Sequence, residues 1–150
     1  MPNTFSCLNM HFVFSTKGRA PLLHPSGQRA SFSIYGRHRE TKRATSKCIG
    51  GVADHVHLLL GLPPNVAPAR AIRLIKGGSS AWIHQSFPEL RNFGWQEGYG
   101  AFSVGISQVP DTITYIQQQD EHHRTRTFQE EYRSFLREHY MSFEEKYVWG

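Results

Sequence analysis

Three observations predict an α+β fold: a strand-period run near the N-terminus, a two-strand segment around residues 45–62, and helical-period stretches both between strands and after the last one. The chain has 150 residues, 39% hydrophobic and 19% charged, which suits one domain with a buried core. No apolar run approaches the roughly 18–20 residues that cross a bilayer, so membrane spanning is excluded, and the composition excludes wholesale disorder. The opening MPNTFSCLNMHFVF has no basic stretch before an apolar core and no small-residue cleavage site, so a cytoplasmic protein is expected. Cys7 and Cys48 lack the paired spacing of a zinc ribbon and are read as reduced thiols.

Each element follows from local pattern. Leu8, Met10, Phe12 and Phe14 alternate, predicting a strand over residues 7–14 with one face buried. A loop passes through Pro21 and Pro25. Residues 27–43 are the expected place of a crossover element, although Phe32, Ile34 and Tyr35 form no 3.6-residue stripe. A short strand near 45–50 meets Gly50-Gly51, and residues 52–62 read as its hairpin partner, ended by Pro63-Pro64. From Pro68, residues Ala71, Ile72, Leu74, Ile75, Trp82 and Ile83 recur at helical spacing, with Gly77-Gly78-Ser79-Ser80 weakening the middle. Residues 99–104 predict another strand, and Pro110 with Asp111 opens a helix to about His123. Thr127 with Glu130 makes a capping-box pattern for a last helix to about His139. The order β-α-β-β-α-β-α-α is that of a ferredoxin-like split β-α-β sheet extended by C-terminal helices.

The net charge of +5 is unevenly spread. Residues 1–50 carry eight basic and one acidic side chain, residues 51–100 four and three, and residues 101–150 five and eight. A basic first third, in a chain that is 13% aromatic overall, suits a nucleic-acid partner, because cations release counterions from phosphates and rings stack on unpaired bases. A solvated basic face has the same composition.

The most informative residues are Asp54-His55-Val56-His57-Leu58-Leu59-Leu60. On a strand, His55 and His57 share one face while Val56, Leu58 and Leu60 point to the core on the other. Two adjacent imidazoles suit a metal, and satisfied structural histidines give the same pattern. A histidine-triad nucleotide hydrolase needs a histidine at position 59, which is Leu59. Asp54 is expected to point away from the histidines, as a hairpin residue. On the helix from Pro110, at about 100° per residue, Gln119 lies about 40° from Tyr115 and His122 about 20° to its other side. Laid over the two-histidine strand, Gln119 is a candidate third ligand and Tyr115 a candidate for contact with a bound substrate; a solvated face with a half-buried tyrosine is the other reading.

These blocks carry a resemblance. Asp54-His55-Val56-His57-Leu58-Leu59, Trp95 through Val104, Tyr115-Ile116 to Gln119, Glu121-His122-His123, Phe128-Gln129-Glu130-Glu131 and Tyr147-Val148-Trp149-Gly150 resemble the single-tyrosine HUH transposases of small insertion sequences and repetitive-extragenic-palindrome elements. The resemblance implies a metal-dependent transposase in which His55, His57 and Gln119 bind Mg2+ or Mn2+ and Tyr115 attacks single-stranded DNA. It implies a 5′-phosphotyrosine with a free 3′-hydroxyl, whose retained bond energy permits rejoining, and recognition of hairpins beside the cleavage site. Insertion-sequence relatives are commonly dimers that share active sites between subunits and palindrome-associated relatives can be monomers; of the two, the resemblance leads us to expect a homodimer with shared sites. Imidazoles match manganese better than magnesium, so tighter manganese binding is expected. Arg70, Arg73 and Lys76 join the basic first third as expected phosphate contacts.

Residues 27–48 depart from the family's amphipathic helix and apolar strand. A reading-frame disturbance in an otherwise related gene accounts for such a change without a change of length, and would make this a degraded copy. Two further readings stay open from sequence: a non-catalytic ferredoxin-like nucleic-acid-binding protein with a structural Tyr115, and a metal-dependent phosphoesterase with a water nucleophile.

Overall fold

The computed structural model describes residues 3–23 and 45–149. The crossover element expected over 27–43, and with it most of the atypical segment, lies outside the described residues. Four strands, β1 (Asn9–Ser15), β2 (Thr45–Val52), β3 (His55–Gly61) and β4 (Gly100–Val104), form one sheet of order β2-β3-β1-β4. Every neighbouring pair is antiparallel. This is the strand order and direction of a ferredoxin-like sheet, as the element order predicts.

Pairing fixes which side chains share a face. His11 lies opposite Leu59, Val13 opposite His57 and Ser15 opposite His55, so these six residues line one side. Phe12, Phe14, Val56, Leu58 and Leu60 line the other, where Ala71, Ile72, Ile75 and Ile83 of helix α1 (Pro68–Ser86) cover them. The histidine side is closed by helices α2 (Val109–Gln117), the four-residue α3 (Gln119–His122) and α4 (Phe128–Glu138), with a short α5 (Glu145–Val148) after them. Both faces of β1 are therefore buried, not one, because C-terminal helices roof the second face as α1 roofs the first.

Two local expectations are corrected, at Gly50-Gly51 and in the helix from Pro110. Gly50-Gly51 is not the hairpin turn: β2 runs through both glycines, and the turn is Ala53-Asp54. The glycines are needed for close approach, since a Cβ on Gly50 would stand 2.3 Å from the Ile116 carbonyl oxygen, and one on Gly51 2.4 Å from that of His55. Helix α1 runs unbroken through Gly77-Gly78. The buried Ser79 there gives its hydroxyl to the Ile75 carbonyl at 2.7 Å and accepts from Trp95 Nε1 at 3.0 Å, which ties the helix to the following loop. The helix from Pro110 breaks at Gln118, whose ψ of 26° lies outside the helical range, so α2 and α3 are separate. The capping box does form: Thr127 Oγ1 accepts from Glu130 N–H at 3.2 Å, and Glu130 Oε2 accepts from Thr127 N–H at 3.3 Å.

Lys76 does not project freely as a phosphate contact. Its ammonium donates to the carbonyls of Gln96 at 2.8 Å and Gly98 at 2.6 Å and sits over the rings of Phe14 and Tyr99. Among the described residues, no helix is long and apolar enough to cross a membrane.

Candidate metal and nucleophile centre

The strand period puts His55 and His57 side by side, and the helical roof buries both completely. Each ring is held at Nδ1: His55 faces Asp54 Oδ1 at 2.6 Å, and His57 faces His11 Nε2 at 2.8 Å. Asp54 thus turns toward the histidines, contrary to expectation, because it sits in the hairpin turn where strand alternation no longer applies. With Nδ1 occupied, both Nε2 atoms point into the centre, the arrangement that sets imidazole orientation in metal sites.

The helices bring three groups to those nitrogens. Gln119 Oε1 lies 3.1 Å from His55 Nε2, while its amide donates back to the Tyr115 carbonyl at 3.3 Å. From the first turn of α4, Glu131 Oε1 lies 2.9 Å from His57 Nε2 and 3.4 Å from His55 Nε2. Tyr115 donates its hydroxyl to the other oxygen, Glu131 Oε2. Its ring stacks on His122, with centroids 4.5 Å apart. His123 closes the far side, its ring 4.4 Å from that of His55.

The electrostatics follow from burial set against these contacts. Burial raises the Glu131 carboxyl, but the imidazoles of His123, His55 and His57 outweigh it and hold the group ionised, far below the usual carboxylate range. Burial disfavours charge on His55, yet the hydrogen bonds to Asp54 and Glu131 prevail and push it up to about 9. Burial dominates at His57, which is lowered, and at His11, which falls to about 3 with help from the neighbouring His57. Burial and the Glu131 carboxylate together raise the Tyr115 phenol well above its ordinary value. The side chains of the centre are therefore one buried anion, a protonated phenol and a set of imidazoles.

The residues present fit a divalent ion. Donor atoms of His55, His57 and Glu131 all lie within 4.8 Å of one another, two neutral-capable nitrogens and a carboxylate oxygen in a buried pocket. The sequence pattern singles out His55, His57, Tyr115 and Gln119, which stand together in the structure. It misses Glu131 and His11. The signal for Glu131 was available: α4 buries Phe128, Glu131, Tyr132 and Leu136 on one stripe, and an acid inside an apolar stripe is rarely left without a partner.

A cleft of about 390 Å³ opens beside Tyr115, lined by His11, Asp111, Arg126, Glu131 and Ser134 among others. The side chains of Tyr115 and Arg126 thus line one accessible space.

Comparison with known proteins agrees with this architecture. The chain is 30% identical over 118 residues to the transposases of insertion sequence element IS200 from Salmonella typhimurium LT2 and Salmonella typhi, covering 73% of this chain and 77% of each relative. Its fold is similar to the crystal structure of a candidate transposase from Deinococcus radiodurans R1, with TM-score 0.63 and 21% identity over 78% of this chain and 96% of the other. A REP-associated tyrosine transposase, solved bound to a REP hairpin, matches with TM-score 0.55 and 16% identity over 77% of this chain and 68% of that one. The family profile described as transposase, IS200-like, spans residues 4–119 and so includes both histidines, Tyr115 and Gln119; with this centre built on that sheet, the chain belongs to the IS200-like transposase family.

Proposed function

We propose that the protein cleaves and rejoins single-stranded DNA through a covalent 5′-phosphotyrosine at Tyr115, with Mg2+ or Mn2+ held by His55, His57, Gln119 and Glu131. The observation that carries this reading is the Tyr115 hydroxyl placed on the same buried carboxylate that faces both imidazoles. When bound, the ion would neutralise the non-bridging oxygens of the scissile phosphate. The chain's own groups supply the rest. Tyr115 Oη forms the bond to phosphorus as the bond to the 3′-oxygen breaks, and its proton has an acceptor in place at Glu131 Oε2. Asp54 and His11 hold the two imidazoles in orientation. Arg126, which lines the cleft, is suited to a DNA phosphate, and the cleft volume suits a nucleotide. Hairpin DNA is the proposed substrate, by similarity to the REP-associated relative.

The resemblance implies a homodimer with shared sites. Within one chain, however, Tyr115 reaches Glu131 and its ring lies 5.9 Å from that of His57, which supports a tyrosine acting with histidines of its own chain. Mixing Tyr115→Phe with His57→Ala protein then restores no activity, whereas a shared site restores part of it.

The main test incubates single-stranded DNA carrying a hairpin with Mn2+ and resolves covalent protein–DNA adducts on a denaturing gel. An adduct absent from Tyr115→Phe supports the proposal. Cleavage without an adduct indicates a water nucleophile, binding without cleavage a non-catalytic protein, and an adduct surviving in Tyr115→Phe a different nucleophile.

A further inference from the structure

We propose that His122 is a positioning residue for Tyr115: its ring lies against the face of the phenol and keeps the hydroxyl aimed during attack. The inference rests on the reading of Tyr115 as nucleophile. Its own observation is a near-parallel ring contact at the side chain that has to be aimed. The rings of His122 and Tyr115 have centroids 4.5 Å apart and planes 28° from parallel. Other rings around the phenol meet it edge-on: Phe135 at 5.8 Å and 86°, His57 at 5.9 Å and 76°, and His11 at 6.5 Å and 73°. No polar contact at Nε2 places the His122 ring, since that nitrogen is buried and has no hydrogen-bond partner among the described residues.

The local backbone makes this contact. In an unbroken helix, seven residues advance about 10.5 Å along the axis, more than twice the 4.5 Å between these centroids. The break at Gln118 interrupts that advance. The turn after it is closed by the His122 N–H, which donates to the Gln118 carbonyl at 3.0 Å. The separation of α2 from α3 is thus what lets the imidazole reach back over the phenol.

A ring stack is a restraint that outlasts the chemistry. Glu131 holds the Tyr115 hydroxyl through its proton, and that hydrogen bond ends as Oη bonds to phosphorus and the proton passes to the carboxylate. The phenol turns about two side-chain torsions, and a ring lying on its face limits both. Stacks of this kind favour the aligned orientation by about 2- to 12-fold. The same ring is present in a phosphotyrosine, so cleavage and rejoining both gain from it.

The test compares two variants of the full chain: His122→Phe, which keeps a flat ring, and His122→Leu, which fills the space without an aromatic face. Single-turnover adduct formation is followed with Mn2+ and saturating single-stranded DNA carrying a hairpin, alongside DNA affinity. His122→Leu lowers the adduct rate about tenfold at unchanged DNA affinity, and His122→Phe recovers it to within about twofold of the wild type. Packing alone would treat leucine and phenylalanine alike. A wild-type rate in His122→Leu overturns the inference. So does a His122→Phe rate as low as that of His122→Leu, which assigns the effect to the imidazole nitrogens. A wild type that forms no adduct removes the reading of Tyr115 as nucleophile, and the positioning role with it. If His122→Leu fails to fold, nuclear magnetic resonance of ring-labelled tyrosine in the wild type decides, with the Tyr115 signals assigned by their loss in Tyr115→Phe. An upfield ring-current displacement supports the stack, and signals at the positions of an exposed tyrosine overturn it.

Discussion

Replacing Glu131 by glutamine tests the centre of the structure. The carboxylate is fully buried, faces three imidazole Nε2 atoms at 2.9–3.4 Å and accepts the Tyr115 hydroxyl on its second oxygen. Glutamine keeps the volume, removes the charge and places an NH2 group where one oxygen accepts. Two contacts are aligned hydrogen bonds to an ionised acceptor, those from His57 and Tyr115. At about 1.5–3 kcal/mol each, they give a loss of about 3–6 kcal/mol. Breaking a buried charge pair from one side costs about 3–5 kcal/mol, which leads to the same range. For a chain of this length, 1 kcal/mol moves Tm by about 2–4 °C, so a cost of about 3 kcal/mol lowers it by about 6–12 °C. Urea and thermal unfolding in the presence of a chelator, followed by circular dichroism near neutral pH, measure this without any contribution from metal. A loss below about 1 kcal/mol would mean that the buried network is not held by the Glu131 charge, and would refute the reasoning from which both its folding role and its proton-accepting role derive.

Three other outcomes are expected. Gly50→Ala drives a methyl into the Ile116 carbonyl and Cγ2, at 2.3 and 2.9 Å, so it costs about 1–3 kcal/mol of stability. Since Ile116 adjoins Tyr115, a shift of about 1 Å lowers the adduct rate by about 100-fold, which single-turnover gel assays read. His11→Phe removes the Nδ1 partner of His57 while keeping a ring among Phe102, Phe135 and Tyr115, and lowers metal affinity about 10–100-fold by calorimetry; unchanged affinity would show that His11 only packs. Burial pulls Lys76 down from 10.5 to about 8, so between those values the unfolded chain holds a proton that the folded chain has released. Stability therefore rises as pH climbs through that window, and Lys76→Met abolishes the rise, as urea unfolding at about pH 7.5 and about pH 9.5 would reveal.

Local periodicity was enough to specify much of this protein. Alternation in β1 and β3, helical spacing from Pro68 and the Thr127–Glu130 capping box mark their elements to within a few residues. The i, i+2 spacing of His55 and His57 sets two imidazoles side by side on one face, and the Tyr115 to Gln119 spacing keeps those residues neighbours even though the helix breaks at Gln118. These follow from backbone geometry, which acts over a few residues and is visible in any window of sequence. Tertiary packing decided the rest. His11 meets His57 across 46 residues and Glu131 meets it across 74, separations at which no periodicity operates. The Gly50-Gly51 pair resembles a turn until Ile116 and His55 are seen pressed against it. Asp54 faces the histidines only because the chain reverses there. Which groups share a strand or helix face follows from spacing along the chain; that a buried carboxylate stands among the histidines and beside the tyrosine follows from the folding of the C-terminal helices over the second face of the sheet, because contacts between elements depend on how apolar surfaces pack.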